Sequence, residues 1–478
     1  MRTLLMLLGL MAAAPAWCQR EAYYDSLTLS DYYAGNWKAL MVHGQLARKE
    51  KAASFYTLKR TGYAAFALHQ YAVANRWYER AEKFDAQDAD VLTMFFKNHF
   101  ELGQTQQWRD AQRDMSYELR QLNGLGKPST VDYVGLESGF GVSNDVQKNL
   151  NAAVRTAPQG QVLPSRTSHF LNDNLYYWQA SANFQPKRHV ALVFQYSGFA
   201  AGVTQREAYV AFAKNGQVEL SNHTMADVYQ PTDSLLQKKF TVQQHQFYLR
   251  LCLTTRSHWM VMPYLHGLFN LSQPVEVQAA PRQLRLQTNP YTLTQAPVFS
   301  FQPVSALRGG IIGGLAVAKQ LGKINVDADF NVTYYDTSTK VQLSAGVNYL
   351  PFGNLKLVIT PRLTYAFVSG EHRVLAALTV AAQLHSRLYA HVSGGYGNRS
   401  ATNEGMGSLN FLGADAMPWF VGGGFYVPVL RQLHAYAGYQ YRPTRGSFDS
   451  YSRPNSQPVL TTTNFSIHYI SIGLKFLL

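Results

Sequence analysis

Residues that could do chemistry are few in this sequence and lie far apart. There is no G-x-S-x-G, no H-E-x-x-H, no Walker loop and no Cys/His cluster with the spacing of metal ligands. His391 and Ser393 stand two positions apart, which in a strand places both on one face. Because a base and a nucleophile also need an orienting acid, we predict no enzyme, no cofactor and no metal site. A hydrolase built on this pair is the minor alternative.

Six charged residues recur at alternate positions of extended segments and form the candidate functional set. They are Asp327, Asp329, Lys356, Arg362, Arg373 and Arg442. Opposite charges on neighbouring strands can pair and keep an enclosed space hydrated. A surplus of cations there would instead favour anionic solutes. The choice depends on the elements that carry these residues.

The C-terminal three quarters of the chain alternate apolar residues with polar or small ones. In the stretch KINVDADFNVTYY, Asp327 and Asp329 lie on the polar face and Ala328 lies on the other. Such stretches exceed the roughly 5 to 6 residues of an average strand and reach the roughly 9 to 11 of a tilted transmembrane strand. Aromatic residues gather near their ends, as at bilayer interfaces. The pattern predicts a transmembrane antiparallel β-barrel over residues 129–478, with the charged set facing its lumen.

The connectors between these stretches are short at one end and long at the other. Long connectors fall near 142–173, 201–238, 271–306, 399–416 and 444–462. Outer-membrane barrels have this asymmetry, and the pattern gives about fourteen strands within a range of about 12–16. The upper bound applies if REAYVAFAKNGQVEL hides a further hairpin. The segment 271–306, rich in Gln, Pro and Thr, is predicted either to fold inward as a plug or to lie over the outer mouth.

The last strand carries a strict alternation in the sequence YISIGLKFLL. Its apolar positions are Ile470, Ile472, Leu474, Phe476 and Leu478. The segment resembles the C-terminal strand of bacterial outer-membrane proteins, which ends in alternating apolar residues with an aromatic near the end. The resemblance implies a strand that outer-membrane assembly machinery reads.

Residues 31–122 contain no Pro and space apolar residues three and four apart, which predicts helices. A shift of about 34 residues aligns small and bulky positions. The packing positions are Leu58, Gly62, Ala65, Ala74, Tyr78 and Ala81, followed by an elbow at Leu102 and Gly103. The segment resembles tetratricopeptide repeats, and the resemblance implies a short solenoid whose concave face binds a protein partner. The alternative is a helical bundle in which the spacing is coincidental.

Composition and the first residues indicate the compartment. Of the 478 residues only 15% are charged, the formal net charge is +14, and the mean hydropathy is −0.19. The opening MRTLLMLLGLMAAAPAWCQR has the basic start, apolar run and small residues of a secretory signal peptide. In an exported protein the positive charge favours an anionic membrane surface over nucleic acid. After cleavage Cys252 is the remaining cysteine, so no internal disulfide is expected.

These features together predict an α+β, multidomain protein. A signal peptide (1–18) precedes a periplasmic tetratricopeptide-like domain (19–126), and the break at Pro128 leads into the barrel (129–478). The order resembles outer-membrane exporters of polysaccharide and the smaller YaiO-type barrels with N-terminal repeats. The resemblance implies a Gram-negative outer-membrane protein, surrounded by lipid, that docks a periplasmic protein and serves export, transport or envelope assembly. The alternatives are a structural scaffold with a blocked lumen and an outer-membrane hydrolase.

We predict that signal-peptide cleavage leaves Gln19 as the first residue, because Ala16-Trp17-Cys18 fits the small-x-small pattern before a cleavage site. Intact-mass spectrometry of the mature protein checks this. A lipid attached to Cys18 would contradict it, since that cysteine would then be the N-terminal residue of a lipoprotein.

Overall fold

The computed structural model describes residues 19–150, 166–255, 259–286, 293–335, 338–368, 370–399, 402–404, 409–410, 415–430, 432–451 and 459–478. The N-terminal part is helical. Its helices are α1 (described over 19–33), α2 (Trp37–Lys49), α3 (Phe55–Ala67), α4 (Tyr71–Ala81), α5 (Ala89–Glu101), α6 (Thr105–Asp114) and α7 (Tyr117–Leu122). No helix among the described residues is long and apolar enough to pass through a bilayer.

The helices repeat at a fixed interval. Helices α2, α4 and α6 begin at Trp37, Tyr71 and Thr105, 34 residues apart, and α3 and α5 begin with the same separation. The residues before α3 and α5 are equivalent N-caps. Ser54 accepts a hydrogen bond from the Thr57 amide and Asp88 from the Val91 amide, each at 3.0 Å, which satisfies an amide that the first turn leaves open. The spacing expected from the sequence therefore recurs in the helix boundaries.

The predicted packing residues lie inside the helical region. Leu58, Ala65, Ala74, Tyr78 and Ala81 are buried in one apolar cluster. Gly62 of α3 lies under the Tyr78 ring of α4, where an added Cβ would stand 2.9 Å from the ring carbons. Only glycine permits this close approach of the two helices.

The C-terminal part is β-structure. The strands are β1 (Val131–Ser143), β2 (Arg166–Lys187), β3 (Val190–Glu219), β4 (Met225–Thr254), β5 (Trp259–Ser272), β6 (Val275–Leu286), β7 (Leu293–Pro303), β8 (Ala306–Leu321), β9 (Ile324–Tyr335), β10 (Ser338–Tyr349), β11 (Leu357–Val368), β12 (Glu371–His385), β13 (Leu388–Tyr396), β14 (Asn403–Glu404), β15 (Leu409–Asn410), β16 (Trp419–Pro428), β17 (Leu433–Tyr451) and β18 (Val459–Leu477). A short helix, α8 (Asp145–Asn149), follows β1.

Fourteen of these strands close into a ring. In the described chain each pairs antiparallel with its two neighbours in the order β1, β2, β3, β4, β5, β8, β9, β10, β11, β12, β13, β16, β17, β18. The last strand returns to the first, with Tyr133 opposite Leu477 and Ser143 opposite Ile467. The predicted fourteen-stranded antiparallel barrel is confirmed.

The barrel turns its apolar residues outward. On β9 the Phe330 side chain is 49% exposed on the outer surface, whereas Asp329 is 3% exposed on the inner one. The predicted apolar positions of β18 follow the same rule, since Ile470, Ile472 and Leu474 are all more than half exposed and Ser471 between them is buried. Alternation along each strand therefore separates an apolar exterior from a lumen. The lumen is polar except for an apolar patch on β3, β4, β5 and β8 that includes Tyr248, Leu268 and Ile312.

The long-loop end differs from the sequence expectation. The segment REAYVAFAKNGQVEL is not a further hairpin but the continuation of β3, and it pairs with β4 along its length. The pairing of β3 with β4 continues without a turn until residue 219. The two strands therefore extend beyond the ring and occupy the region that was expected to be a connector, near 201–238. The alternative of a further hairpin, which would have raised the strand count to sixteen, is therefore not realised.

The segment 271–306 forms a hairpin of β6 and β7 at this end. Gln205, on the inward-facing side of β3, exchanges two hydrogen bonds of 2.7 Å with the backbone of Val275. The Tyr209 ring on the same side lies 4.9 Å from Phe299 and 5.2 Å from Phe301. The hairpin thus packs on the inner side of the extension, which agrees with the position over the mouth and not with a deep plug.

We expect Ala376→Arg to impair barrel assembly far more than Ala377→Arg. These neighbours lie on β12, where Ala376 is on the exposed face with Val374 and Leu378, and Ala377 is on the opposite, luminal face. An arginine facing lipid at mid-strand costs about 2–4 kcal/mol, whereas a luminal one stays hydrated. The fraction that migrates faster unheated than boiled on a gel measures assembly. Equal loss for both variants would mean that the outward face does not meet lipid.

Candidate functional site

The lumen contains a polar network that joins three strands. Tyr264 of β5 donates a hydrogen bond of 2.7 Å to Asp329 of β9, and Asn331 donates one of 3.0 Å to the same carboxylate. Arg362 of β11 forms an ion pair with Asp327 of β9. These carboxylates are buried, so the bonds offset the cost of removing them from water. The predicted pairing of luminal charges therefore occurs between Asp327 and Arg362.

The connector after β13 turns into the lumen and is held there. Asn403 donates hydrogen bonds to Asn331 (2.6 Å) and Thr333 (2.8 Å) of β9. Gln342 of β10 bonds both the amide and the carbonyl of Asn403, at 2.9 and 2.7 Å. Four hydrogen bonds to one residue fix this segment against the wall, so the connector narrows the lumen from within.

The inward connector bounds a cavity of 320 Å³. Hydroxyl groups dominate its wall, from Ser344, Thr360, Thr364, Thr379, Ser393 and Thr402. Two arginines complete it: Arg362, and Arg399, whose guanidinium carbon lies 3.8 Å from the Phe420 ring centroid. The cavity is suited to water and small polar solutes, because hydroxyl groups and the charged side chains of Asp329, Arg362 and Arg399 line it.

Of the other charges in the candidate set, Arg442 lies beside this cavity, because it bonds the lining residue Gln440, whereas Lys356 and Arg373 lie apart from it. Lys356 is exposed in the turn that precedes β11, so it is not a luminal wall residue. Arg373 pairs with Glu371 at 2.8 Å near the start of β12. Arg442 is bonded to Gln440 of its own strand, and its guanidinium carbon lies 5.2 Å from the Tyr469 ring centroid. The structure brings together Asp327, Asp329 and Arg362 and leaves the other three separate.

The imidazoles of β13 and β17 belong to the wall. The His391 ring stacks on Tyr436, with 6.4 Å between centroids and 13° between planes, while His434 bonds the hydroxyl of Tyr426. Ser393 lines the cavity two residues from His391. No group of three metal-ligating side chains occurs in the part of the chain that the structure describes.

Helix α6 packs against the short-turn end of the barrel, a role that its sequence does not indicate. Its segment TQQWRDAQRD is strongly polar, yet Gln106, Arg109 and Asp110 are buried. Gln106 donates to the Thr254 hydroxyl of β4 at 3.0 Å. Asp110 accepts from the Gln185 amide (2.7 Å) and from the His189 backbone (2.8 Å) at the β2–β3 turn. A helix with buried polar groups bonded to strand ends acts as a lid on the barrel.

Arg109 of α6 lies at the seam where the barrel closes. Its guanidinium donates to the carbonyl of Leu478 at the end of β18 and forms an ion pair of 3.3 Å with Asp132 of β1. The Leu478 amide donates to the Asp132 carbonyl at 3.0 Å. One side chain of the helical region thus holds the first and last strands together.

Other helices add to this contact. The Ala72 amide of α4 donates to the Gly353 carbonyl in the β10–β11 turn, and Asn354 donates to the His69 carbonyl, each at 2.9 Å. Leu102, predicted as a repeat elbow, packs with Ala72 against Leu350 of the barrel. Gly103 beside it adopts φ +63°, a left-handed turn that favours glycine.

Burial at this contact changes the pKa of an acidic side chain on α6. It raises the pKa of the Asp114 carboxyl on α6 to about 6, although Arg188 of the β2–β3 turn, 2.8 Å away, lowers it. The carboxylate is therefore ionised and paired with Arg188 at neutral pH and becomes protonated in mild acid.

Comparison with known proteins gives distant resemblances in fold. No family model matches the chain, and no curated protein matches it. Among solved structures it is similar to the TodX monoaromatic hydrocarbon channel (10% identity, 74% of this chain and 91% of that one, TM-score 0.45). It is also similar to a Pseudomonas aeruginosa FadL homologue (6% identity, 72% and 90%, TM-score 0.42). A bacterial polysaccharide outer membrane secretin matches at 9% identity (73% and 99%, TM-score 0.31). The strand pairing, not these resemblances, establishes the closed barrel.

Proposed function

We propose that this chain is an outer-membrane transport barrel whose helical region lies in the periplasm and closes the barrel from that side. The observation that carries the proposal is the closed fourteen-stranded ring with an apolar exterior and a polar lumen. A bilayer admits a sheet only when no backbone edge is left unpaired and apolar side chains face the lipid. The interior of the ring then remains available for the passage of a solute.

The orientation follows from the same geometry. The helices contact the short turns at Gly353 and His189, and short turns lie on the periplasmic side of outer-membrane barrels. The extensions of β3 and β4 and the β6–β7 hairpin then lie at the cell exterior. Transport requires α6 to move, because its buried side chains span the strand ends at the periplasmic mouth.

We further propose that the helical region is a tetratricopeptide-like solenoid that docks a periplasmic protein. The 34-residue spacing of helix starts and the Gly62–Tyr78 contact support this. An exposed aromatic row runs from Tyr33 (81% exposed) through Tyr32 to Tyr63 (36% exposed). Aromatic side chains that remain open to solvent are typical of the centres of protein interfaces.

The alternative function is a structural scaffold with a blocked lumen. The lid at the short-turn end and the β6–β7 hairpin at the other favour it. Channel recording separates the transport barrel from the scaffold. Weakening the lid of a transport barrel exposes a conducting pathway, whereas weakening the lid of a blocked scaffold does not.

Single-channel conductance tests transport. The double variant Gln104→Ala with Gln106→Ala removes the hydrogen bonds from the lid to Gln320 and Thr254. We expect channel openings to be about tenfold more frequent than in the wild-type protein, which corresponds to a loss of roughly 1.4 kcal/mol in the stability of the closed state. Gln45→Ala with Gln87→Ala, at exposed sites, is the matched control. If the lid variant stays as silent as the wild type while its barrel remains heat-modifiable, the blocked scaffold replaces the transport proposal.

Photo-crosslinking in cells tests docking. A photoreactive phenylalanine analogue at Tyr33 or Tyr63 is expected to give a discrete adduct with a periplasmic protein. The same analogue at Tyr117, which is 65% exposed, is the control and should give none. Docking through the aromatic row is refuted if Tyr33 and Tyr63 yield no adduct, or if all three positions yield the same one.

A further inference from the structure

A basic cleft lies between the helical region and the rim of the barrel. It has a volume of 780 Å³ and opens between helix α4 and the turns that follow β2, β4 and β8. On the barrel side its lining residues are Arg188 and His189 after β2, Thr255 after β4 and the last three residues of β8, and these strands are close neighbours in the ring. Arg76 of α4 lies over the β8–β9 turn, with its Cδ 2.7 Å from where a Cβ on Gly322 would stand.

The cleft carries an excess of positive charge. Its lysine and arginine residues are Arg76, Arg80, Lys83, Arg188 and Lys319, and its acidic residues are Glu79 and Glu82. Asp114 beside the cleft pairs with Arg188, which still leaves more cations than anions. Burial, and then the nearby positive charges of Arg48 on α2 and Arg76 on α4, lower the pKa of Arg80.

One wall of the cleft belongs to the outer surface of the barrel. Lys319 and Leu321 lie on the outward face of β8, and Leu321 is 44% exposed. The Lys319 ammonium stands 5.1 Å from the ring centroid of Trp259, its partner in the strand register, and Trp259 is 40% exposed. Tryptophan favours the headgroup level of a bilayer, and lysine extends its charge to the same level. The cleft therefore opens where headgroups of the adjacent leaflet would lie.

We propose that this cleft binds the phosphate-bearing headgroup of an anionic phospholipid from the leaflet on the short-turn side. The proposal rests on the membrane location argued above. Arginine and lysine supply the donors that phosphate accepts, and Trp259 and Leu321 flank the path of the acyl chains. The lipid would bridge the helical region to the barrel beside the lid.

The test uses full-length protein in detergent with short-chain lipids as probes. Native mass spectrometry measures the binding of dioctanoyl phosphatidylglycerol and of dioctanoyl phosphatidylcholine. We expect the anionic lipid to bind about tenfold more tightly, because the excess of positive charge in the cleft attracts a headgroup with a net negative charge. Arg76→Gln with Lys83→Gln and Lys319→Gln should abolish this preference. Lys38→Gln with Lys49→Gln and Lys97→Gln removes the same charge at exposed sites and should retain it.

The assignment is overturned if the two lipids bind equally, or if the preference for the anionic lipid survives the triple change in the cleft. It is also overturned if equimolar inorganic phosphate displaces phosphatidylglycerol, because the cleft would then be a site for free phosphate. Lys319→Gln alone provides the same comparison if the triple variant does not fold. Heat-modifiable migration and insertion into vesicles are scored separately, so that failure of the membrane location is distinguished from failure of the lipid site.

Discussion

The rest of this structure depends on the pairing of β1 with β18. A sheet has two edges, and each edge exposes a row of unpaired amides and carbonyls that lipid cannot satisfy. Here the strand that begins at Val131 and the strand that ends at Leu477 satisfy each other over eleven residue pairs. Once the ring is closed, side-chain alternation alone decides what faces outward. The polarity of the lumen and the apolarity of the exterior are two consequences of one closure.

A ring of fourteen strands is too wide for its own wall side chains to fill. The chain supplies additional elements. The connector after β13 enters the lumen and bonds β9 and β10 through Asn403, and α8 packs against β2 and β18, where Asn144 donates to the Ser466 hydroxyl at 2.9 Å. These contacts are polar, and they fix Asn403 and α8 to the barrel wall.

Helix α6 links the helical region to the closure. A polar helix gains little from apolar packing, so its attachment depends on hydrogen bonds and ion pairs to strand ends. Such bonds are weakened readily by water or by competing charge, unlike an apolar core. Because Arg109 holds both Leu478 and Asp132, the same helix also stabilises the seam. The proposed gating and the side-chain contact across the seam therefore involve the same helix.

The sequence by itself determined the barrel, because alternation with period two is a local property that survives in any register. The fourteen strands and the outward positions of Ile470 and Ile472 followed from it. The helix spacing followed separately from the recurrence of small and bulky residues at an interval of 34 residues. Tertiary structure alone decided the rest. The pairing of Arg362 with Asp327 and the separation of Lys356 depend on register between strands. The burial of Gln106 and Arg109 depends on which surface α6 packs against. The sequence of a polar helix does not show whether the helix is exposed to solvent or packed against strand ends.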